Sequence, residues 1–199
     1  MTEAHGDDYA ADVHDAFVGA LAQSCASTDG AVQCVKHLGD GALLVAQSGA
    51  ALVAALLNGV RNQGDAELCL RVRAGVHAGP VLRVQTVHGE DFLGHTVNVA
   101  ARLCGKAAPG ELVLSKVVRD DGPELPELPE PPRPLGALAL RHVAEPVEAW
   151  AVSLGAPAGE IDPVCHMTVG PGAREVVVAG RSWRFCSAEC ERAFRSRSG

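Results

Sequence analysis

Half of the chain's prolines, six of 12, fall in the short stretch Pro123–Pro134 (PELPELPEPPRP). Proline has no amide hydrogen and a fixed φ, so this stretch neither runs through the centre of a sheet nor continues a helix. It reads as a stiff surface excursion, and the regular structure must be built on either side of it.

Upstream of it, helical and extended patterns alternate. Asp8–Ala26 places Val13, Phe17, Ala20 and Leu21 at a helical period. Val32–Leu38 and Ala42–Gln47 flank Gly39-Asp40-Gly41, the turn chemistry of a β-hairpin. Ser48 is placed to cap a helix running to about Gln63, with Gly64 as its stop. Strands are expected over Leu70–His77, Val81–Val87 and Glu111–Ser115, and a helix over Thr96–Lys106. Downstream, Gly136–Leu154 reads as two strands around a Glu145-Pro146 turn. Such alternation points to an α/β or α+β sandwich.

Charge and length narrow the class. With 17 basic and 24 acidic side chains in 199 residues, the chain carries −7, which disfavours nucleic acid as a partner. The longest apolar stretch, Gly49–Leu57, is far short of the ~20 residues of a membrane span. The N-terminus MTEAHGDDYA is acidic, unlike a secretory signal. Seven cysteines, an odd number with three clustered near the end, do not form a secreted disulfide framework. A cytoplasmic protein with reduced thiols is expected. The segment 155–160 reads as a linker between a first domain, 1–154, and a second, 161–199, in which six arginines outnumber four acidic residues.

Several residues suit nucleotide chemistry. Asp40, at a glycine-flanked tip, offers an exposed hard carboxylate for Mg²⁺ or Mn²⁺, although Gly-Asp-Gly is equally a good hairpin turn. Lys36 and Asp91 supply a cation and a carboxylate able to read adenine. Asn98 and Arg102 are four apart and share a helix face, and a guanidinium suits growing phosphate charge.

These residues lie in ordered motifs: Lys36–Gly41 (KHLGDG), Val72–Pro80 (VRAGVHAGP), Gly89–Leu103 (GEDFLGHTVNVAARL), Pro109-Gly110-Glu111 with Leu114-Ser115, and Leu140–Val147 (LRHVAEPV). Together they resemble the class III adenylate/guanylate cyclase catalytic domain over residues 8–154. The resemblance implies an α+β, ferredoxin-like-derived sandwich that converts ATP to cyclic AMP and pyrophosphate at a dimer interface. It implies Lys36 and Asp91 as the adenine-selecting pair and Asn98 and Arg102 as ribose-positioning and transition-state residues. Asp40 takes the place of the second metal aspartate. Arg141 stands where relatives carry a triphosphate-binding lysine, a swap that keeps charge and alters geometry.

The first strand of that fold, with the first metal aspartate, is not recognisable in Met1–Asp7. A heterodimer is therefore one expectation, in which an intact cyclase protomer supplies the metal aspartates and this chain lends Lys36, Asp91, Asn98, Arg102 and Arg141; a homodimer is the other form. The competing reading is a non-catalytic regulatory protein that senses nucleotide or metal through dimerisation.

At the other end, Asp162–Met167 (DPVCHM), Trp183–Cys190 (WRFCSAEC) and Phe194 resemble the YHS domain, a small treble-clef-like metal module, with His166 where relatives commonly have glycine. A 39-residue segment is near the size limit for folding without a metal or a larger body. Cys165, Cys186 and Cys190 suit Zn²⁺ or Cu(I), with His166 or water as a fourth ligand. Packing as buried hydrophobes against Trp183, Phe185 and Phe194 is the alternative. Cys25, Cys34, Cys69 and Cys104 read as core residues, and His77 and His142 as structural.

Overall fold

The computed structural model describes residues 14–15, 17–61, 68–69, 71–87, 89–120, 124–155, 159–165, 167–170, 173–178 and 180–197. They form two compact units. The larger comprises Leu21–Gly59 and Val72–Gly155; the smaller draws on the described residues of Met1–Ala20, Val60–Arg71 and Ala156–Gly199.

Helix α1 (residues 17–26) belongs to the larger unit from Leu21 onward, where it buries Leu21 and Ser24, and the Ser24 hydroxyl donates to the Ala55 carbonyl. Strands β1 (Val32–Leu38) and β2 (Gly41–Ala46) pair antiparallel, Leu38 opposite Gly41. The turn is closed by Gly39 at φ +64°, where an L side chain is strained. Ser48 caps α2 (Gly49–Arg61) by accepting from the Ala51 amide at 3.4 Å, and α2 buries Val53, Ala55 and Leu57.

A four-stranded sheet carries the core. Its order is β4 (Ala74–Val76), β7 (Glu111–Ser115), β9 (Val147–Ser153), β8 (Arg133–Leu138), with β4 and β7 parallel and the other pairs antiparallel. Leu112, Val113, Leu114, Ala149 and Val152 are fully buried. Helix α3 (His95–Cys104) lies against β4, with Val99 and Leu103 in the core. Contact there is so close that a Cβ built on Gly75 would sit 2.2 Å from both the Ala100 carbonyl oxygen and the Cys104 nitrogen. Strands β5 (Leu82–Thr86) and β6 (Gly89–Leu93) form a separate hairpin, and the short α4 (Lys116–Asp120) follows β7.

The proline stretch ends inside β8, which is an edge strand, and the register shifts between Pro134 and Gly136. Edge position and bulge are where a sheet tolerates a residue without an amide hydrogen. The two strands expected over Gly136–Leu154 are present, but the first begins at Arg133 and the connection spans residues 139–146 rather than a tight turn.

At the end of β4, the His77 ring Nδ1 lies 2.8 Å from the Ser115 hydroxyl. Burial, and then the nearby His95, push the His77 pKa below its ordinary 6.5. A histidine held neutral in the fold contributes stability above pH 6.5, and that contribution is lost as pH falls from there through the lowered folded value. Thermal denaturation should therefore show a stability loss below about pH 6.5 that is shallower in His77→Gln; parallel pH profiles for the two proteins would refute this.

In the smaller unit a sheet of order β10 (Glu160–Ile161), β11 (Thr168–Val169), β3 (Leu68–Cys69) is antiparallel throughout. Gly159 has no room for a side chain, since a Cβ there would meet the Val169 carbonyl oxygen at 2.3 Å. Hairpin β12 (Arg174–Val178) and β13 (Arg181–Phe185) is followed by α5 (Ala188–Arg197), with Ser187 accepting from the Cys190 amide at 3.2 Å as its cap. Phe194 packs on Trp183 and Phe185 at centroid distances of 4.9 and 5.4 Å. Within the span Leu70–His77, expected as one strand, the described pairing is Ala74–Val76 in the other unit, and the strand in this sheet, Leu68–Cys69, lies just ahead of that span. Apolar alternation marks extended chain without naming the strand it pairs with.

Candidate functional site

Lys36, in β1, and Asp91, in β6, are 55 positions apart in sequence, and the fold joins them: Nζ lies 2.6 Å from Asp91 Oδ2. Asp91 Oδ1 accepts from the Phe92 amide at 2.8 Å. The Lys36 hydrogen bond, then that amide, hold the Asp91 carboxyl below the ordinary carboxylate range. The pair thus presents an ordered ammonium and an ionised carboxylate side by side, a donor and an acceptor in fixed relation.

Asn98 and Arg102 lie on the exposed face of α3, opposite the Thr96, Val99 and Leu103 face that enters the core. Arg102 and Arg141 line one open cleft of about 350 Å³ with Ala101, Gly105, Lys106, Ala139 and Leu140. Arg141 reaches it from a turn closed by the Val143 amide on the Leu140 carbonyl, with His142 in the left-handed region at φ +60°. The Arg141 Nε donates to His142 Nε2 at 3.0 Å. Two guanidinium groups and Lys106 make this cleft cationic, suited to a polyphosphate. Lys36, Asp91, Asn98 and Asp40 do not line it.

Asp40 is exposed at the β1–β2 tip. A divalent hard cation needs several oxygen donors, and one exposed carboxylate does not make such a site. The segment Met1–Asp7, in which the first metal aspartate is not recognisable, lies outside the described residues.

The smaller unit gathers Asp162, Cys165, Cys186 and Cys190, whose ligand atoms all lie within 4.8 Å of one another. Cys165 and Cys186 sulfurs are 3.5 Å apart, and Cys186 and Cys190 sulfurs 3.7 Å. Tetrahedral Zn²⁺ with Zn–S of about 2.3 Å places its sulfurs about 3.8 Å apart, so the thiols fit a metal as they stand. Burial above all, then Cys186 and Asp162, push the Cys190 thiol up to about 12. His166 lies outside the described residues. Asp162 was missed as a member of this cluster; an aspartate followed by proline, three positions before a cysteine, is a turn signal that marks it. Sequence reading also missed β6, whose GEDFL has no apolar alternation strong enough to name a strand.

No family model matches the chain. Uncharacterized proteins of Mycobacterium tuberculosis and Mycobacterium bovis are 38% identical over 90 residues, which is 45% of this chain and 23% of theirs. The chain thus spans about a quarter of the length of the curated relatives it matches. Among solved structures, an adenylate cyclase of Trypanosoma brucei in its monomeric state superposes with a TM-score of 0.63 at 20% identity, covering 80% of this chain and 85% of that one. An adenylate/guanylate cyclase/hydrolase of Silicibacter pomeroyi gives a TM-score of 0.52 at 25% identity, covering 69% and 76%. The architecture is the mixed α+β fold of adenylate and guanylate cyclase domains. No helix among the described residues is long and apolar enough to cross a membrane.

Proposed function

We propose that this chain is a nucleotidyl cyclase-like protein of cyclic nucleotide signalling that acts on ATP at a dimer interface, with a metal-binding YHS-type module at its C-terminal end. The observation that carries the reading is the Lys36–Asp91 pair, assembled at 2.6 Å from distant strands in a cyclase fold. Lys36 donates to the adenine ring nitrogen, and Asp91 accepts from its exocyclic amino group. Guanine offers a carbonyl where adenine has that amino group, so the Asp91 carboxylate disfavours GTP.

Asn98 holds the ribose. Its 3′-oxygen attacks the α-phosphorus, the bond from that phosphorus to the pyrophosphate oxygen breaks, and the hydroxyl proton leaves to solvent. Arg102 and Arg141 meet the charge that grows on the phosphoryl oxygens, from groups already oriented in the cleft. Magnesium or manganese, when bound, neutralises the triphosphate and makes the 3′-hydroxyl more acidic. One exposed carboxylate, Asp40, does not make such a cation site by itself, so in the working site the metal aspartates are assigned to an intact cyclase protomer and the other five residues to this chain. In the smaller unit, Cys165, Cys186 and Cys190 hold Zn²⁺ or Cu(I).

Equilibrium binding tests the adenine assignment. ATP should bind at least about 10-fold more tightly than GTP, a difference near 1.4 kcal/mol, and Lys36→Ala should erase the preference. Equal affinities in the wild-type chain would contradict it.

A further inference from the structure

The carboxylate of Asp162 is fully buried, a state that is costly for a charge unless every lone pair is used. Its Oδ1 accepts from two backbone amides, Val164 at 2.8 Å and Cys165 at 3.2 Å, and both lone pairs of that oxygen are then taken. Oδ2 accepts from one amide, Cys186 at 2.8 Å. The Cys186 side chain also lies beside this carboxylate.

The same hydrogen bonds tie the turn at Cys165 to the start of the Cys186 segment, so Asp162 draws the two cysteine-bearing loops together. Its ligand atom is within 4.8 Å of all three sulfurs. We propose that Asp162 is the fourth ligand, through Oδ2, of the metal held by Cys165, Cys186 and Cys190, and that its buried negative charge makes the centre select a divalent ion of the zinc type over Cu(I). This rests on the reading of the three cysteines as metal ligands.

Charge and softness both favour the dication. Three thiolates with a carboxylate give an oxygen-containing tetrahedral set that suits Zn²⁺, whereas Cu(I) is satisfied by soft sulfur alone and gains less from a hard anion. A buried anion beside the metal also stabilises two positive charges more than one.

The test uses the full chain, titrated with Zn²⁺, Co²⁺ and Cu(I) against competing chelators, and X-ray absorption of the zinc form. The wild-type zinc spectrum should fit three sulfurs near about 2.3 Å and one oxygen near about 2.0 Å. Asp162→Asn keeps an amide oxygen to accept backbone hydrogen bonds and removes the charge. It should lower Zn²⁺ and Co²⁺ affinity by about 100-fold or more, alter the Co²⁺ d–d bands, and change Cu(I) affinity by less than about threefold. Unchanged Zn²⁺ affinity with an unchanged Co²⁺ spectrum in the variant would overturn the role of Asp162. Should the variant not fold, the wild-type absorption decides, since a shell of three sulfurs without oxygen overturns it equally. A wild-type chain that takes up none of the three ions would instead overturn the three-cysteine reading beneath it.

Discussion

Replacing Gly75 with alanine should destabilise the larger unit by about 3 kcal/mol or more, a loss that lowers its thermal midpoint by roughly 6–12 °C. A Cβ there meets the Ala100 carbonyl oxygen and the Cys104 nitrogen at 2.2 Å, and both are helix backbone rather than the movable end of a side chain. Relief therefore requires α3 to move off β4. That movement opens the contact between the helix and the sheet, with Val99 and Leu103 in the core that separates. Because Asn98 and Arg102 ride on the same helix, nucleotide binding should weaken in step with stability. Gly39→Ala is the control: open space surrounds that position, but its φ of +64° makes an alanine strained by about 1 kcal/mol. Differential scanning calorimetry of both variants checks the ranking, and a Gly75→Ala midpoint equal to wild type would show that the close approach is not a real constraint.

The second large effect is on chemistry. Arg102 is exposed on α3 and lines the cationic cleft with Arg141, so its removal should leave the fold intact while taking away a donor aimed at developing phosphate charge. Arg102→Ala should reduce turnover in a completed dimer by about 10²–10³-fold, equivalent to roughly 3–4 kcal/mol of transition-state stabilisation. Its thermal midpoint should stay near wild type, since exposed substitutions of this kind change stability by about 0.5 kcal/mol or less. Arg102→Lys should recover little, because an ammonium keeps the charge and lacks the planar fork. Turnover by Arg102→Ala within about threefold of wild type would remove Arg102 from the mechanism.

How much of this was legible in the sequence varies with the kind of signal. Local chemistry was readable: the Gly39-Asp40 turn, the Ser48 cap, the helix carrying Asn98 and Arg102, and the strand Glu111–Ser115 follow from short-range rules of φ, capping and periodicity. Pairing across distance was not. Nothing in LCLRVRAGVH says that Leu68–Cys69 joins β11 while Ala74–Val76 joins β7, because alternation is silent about partners. Gly75 looked like one glycine among 22, and only the packed helix reveals that it has no space for a methyl group. For the candidate site, residue types and spacing proposed Lys36 with Asp91 and Asn98 with Arg102, and the resemblance added Arg141; the fold bonds the first pair and puts Arg102 in one cleft with Arg141, which Asn98 does not line. Asp162 escaped because its Asp-Pro turn signals only the local bonds to Val164 and Cys165, whereas the amide of Cys186 that ties it to the other cysteine loop lies 24 positions away.

The most direct test of the central claim is complementation. An intact cyclase protomer is disabled by alanine at its own counterpart of Arg102, then mixed with this chain, ATP and Mg²⁺ or Mn²⁺, and cyclic AMP is measured across mixing ratios. Product from the mixture should lie far above either protein alone, rise with the proportion of this chain to a maximum, and be lost when the chain carries Arg102→Ala. A mixture no more active than the disabled protomer at every ratio, with heterodimer formation demonstrated in the same samples, would contradict it.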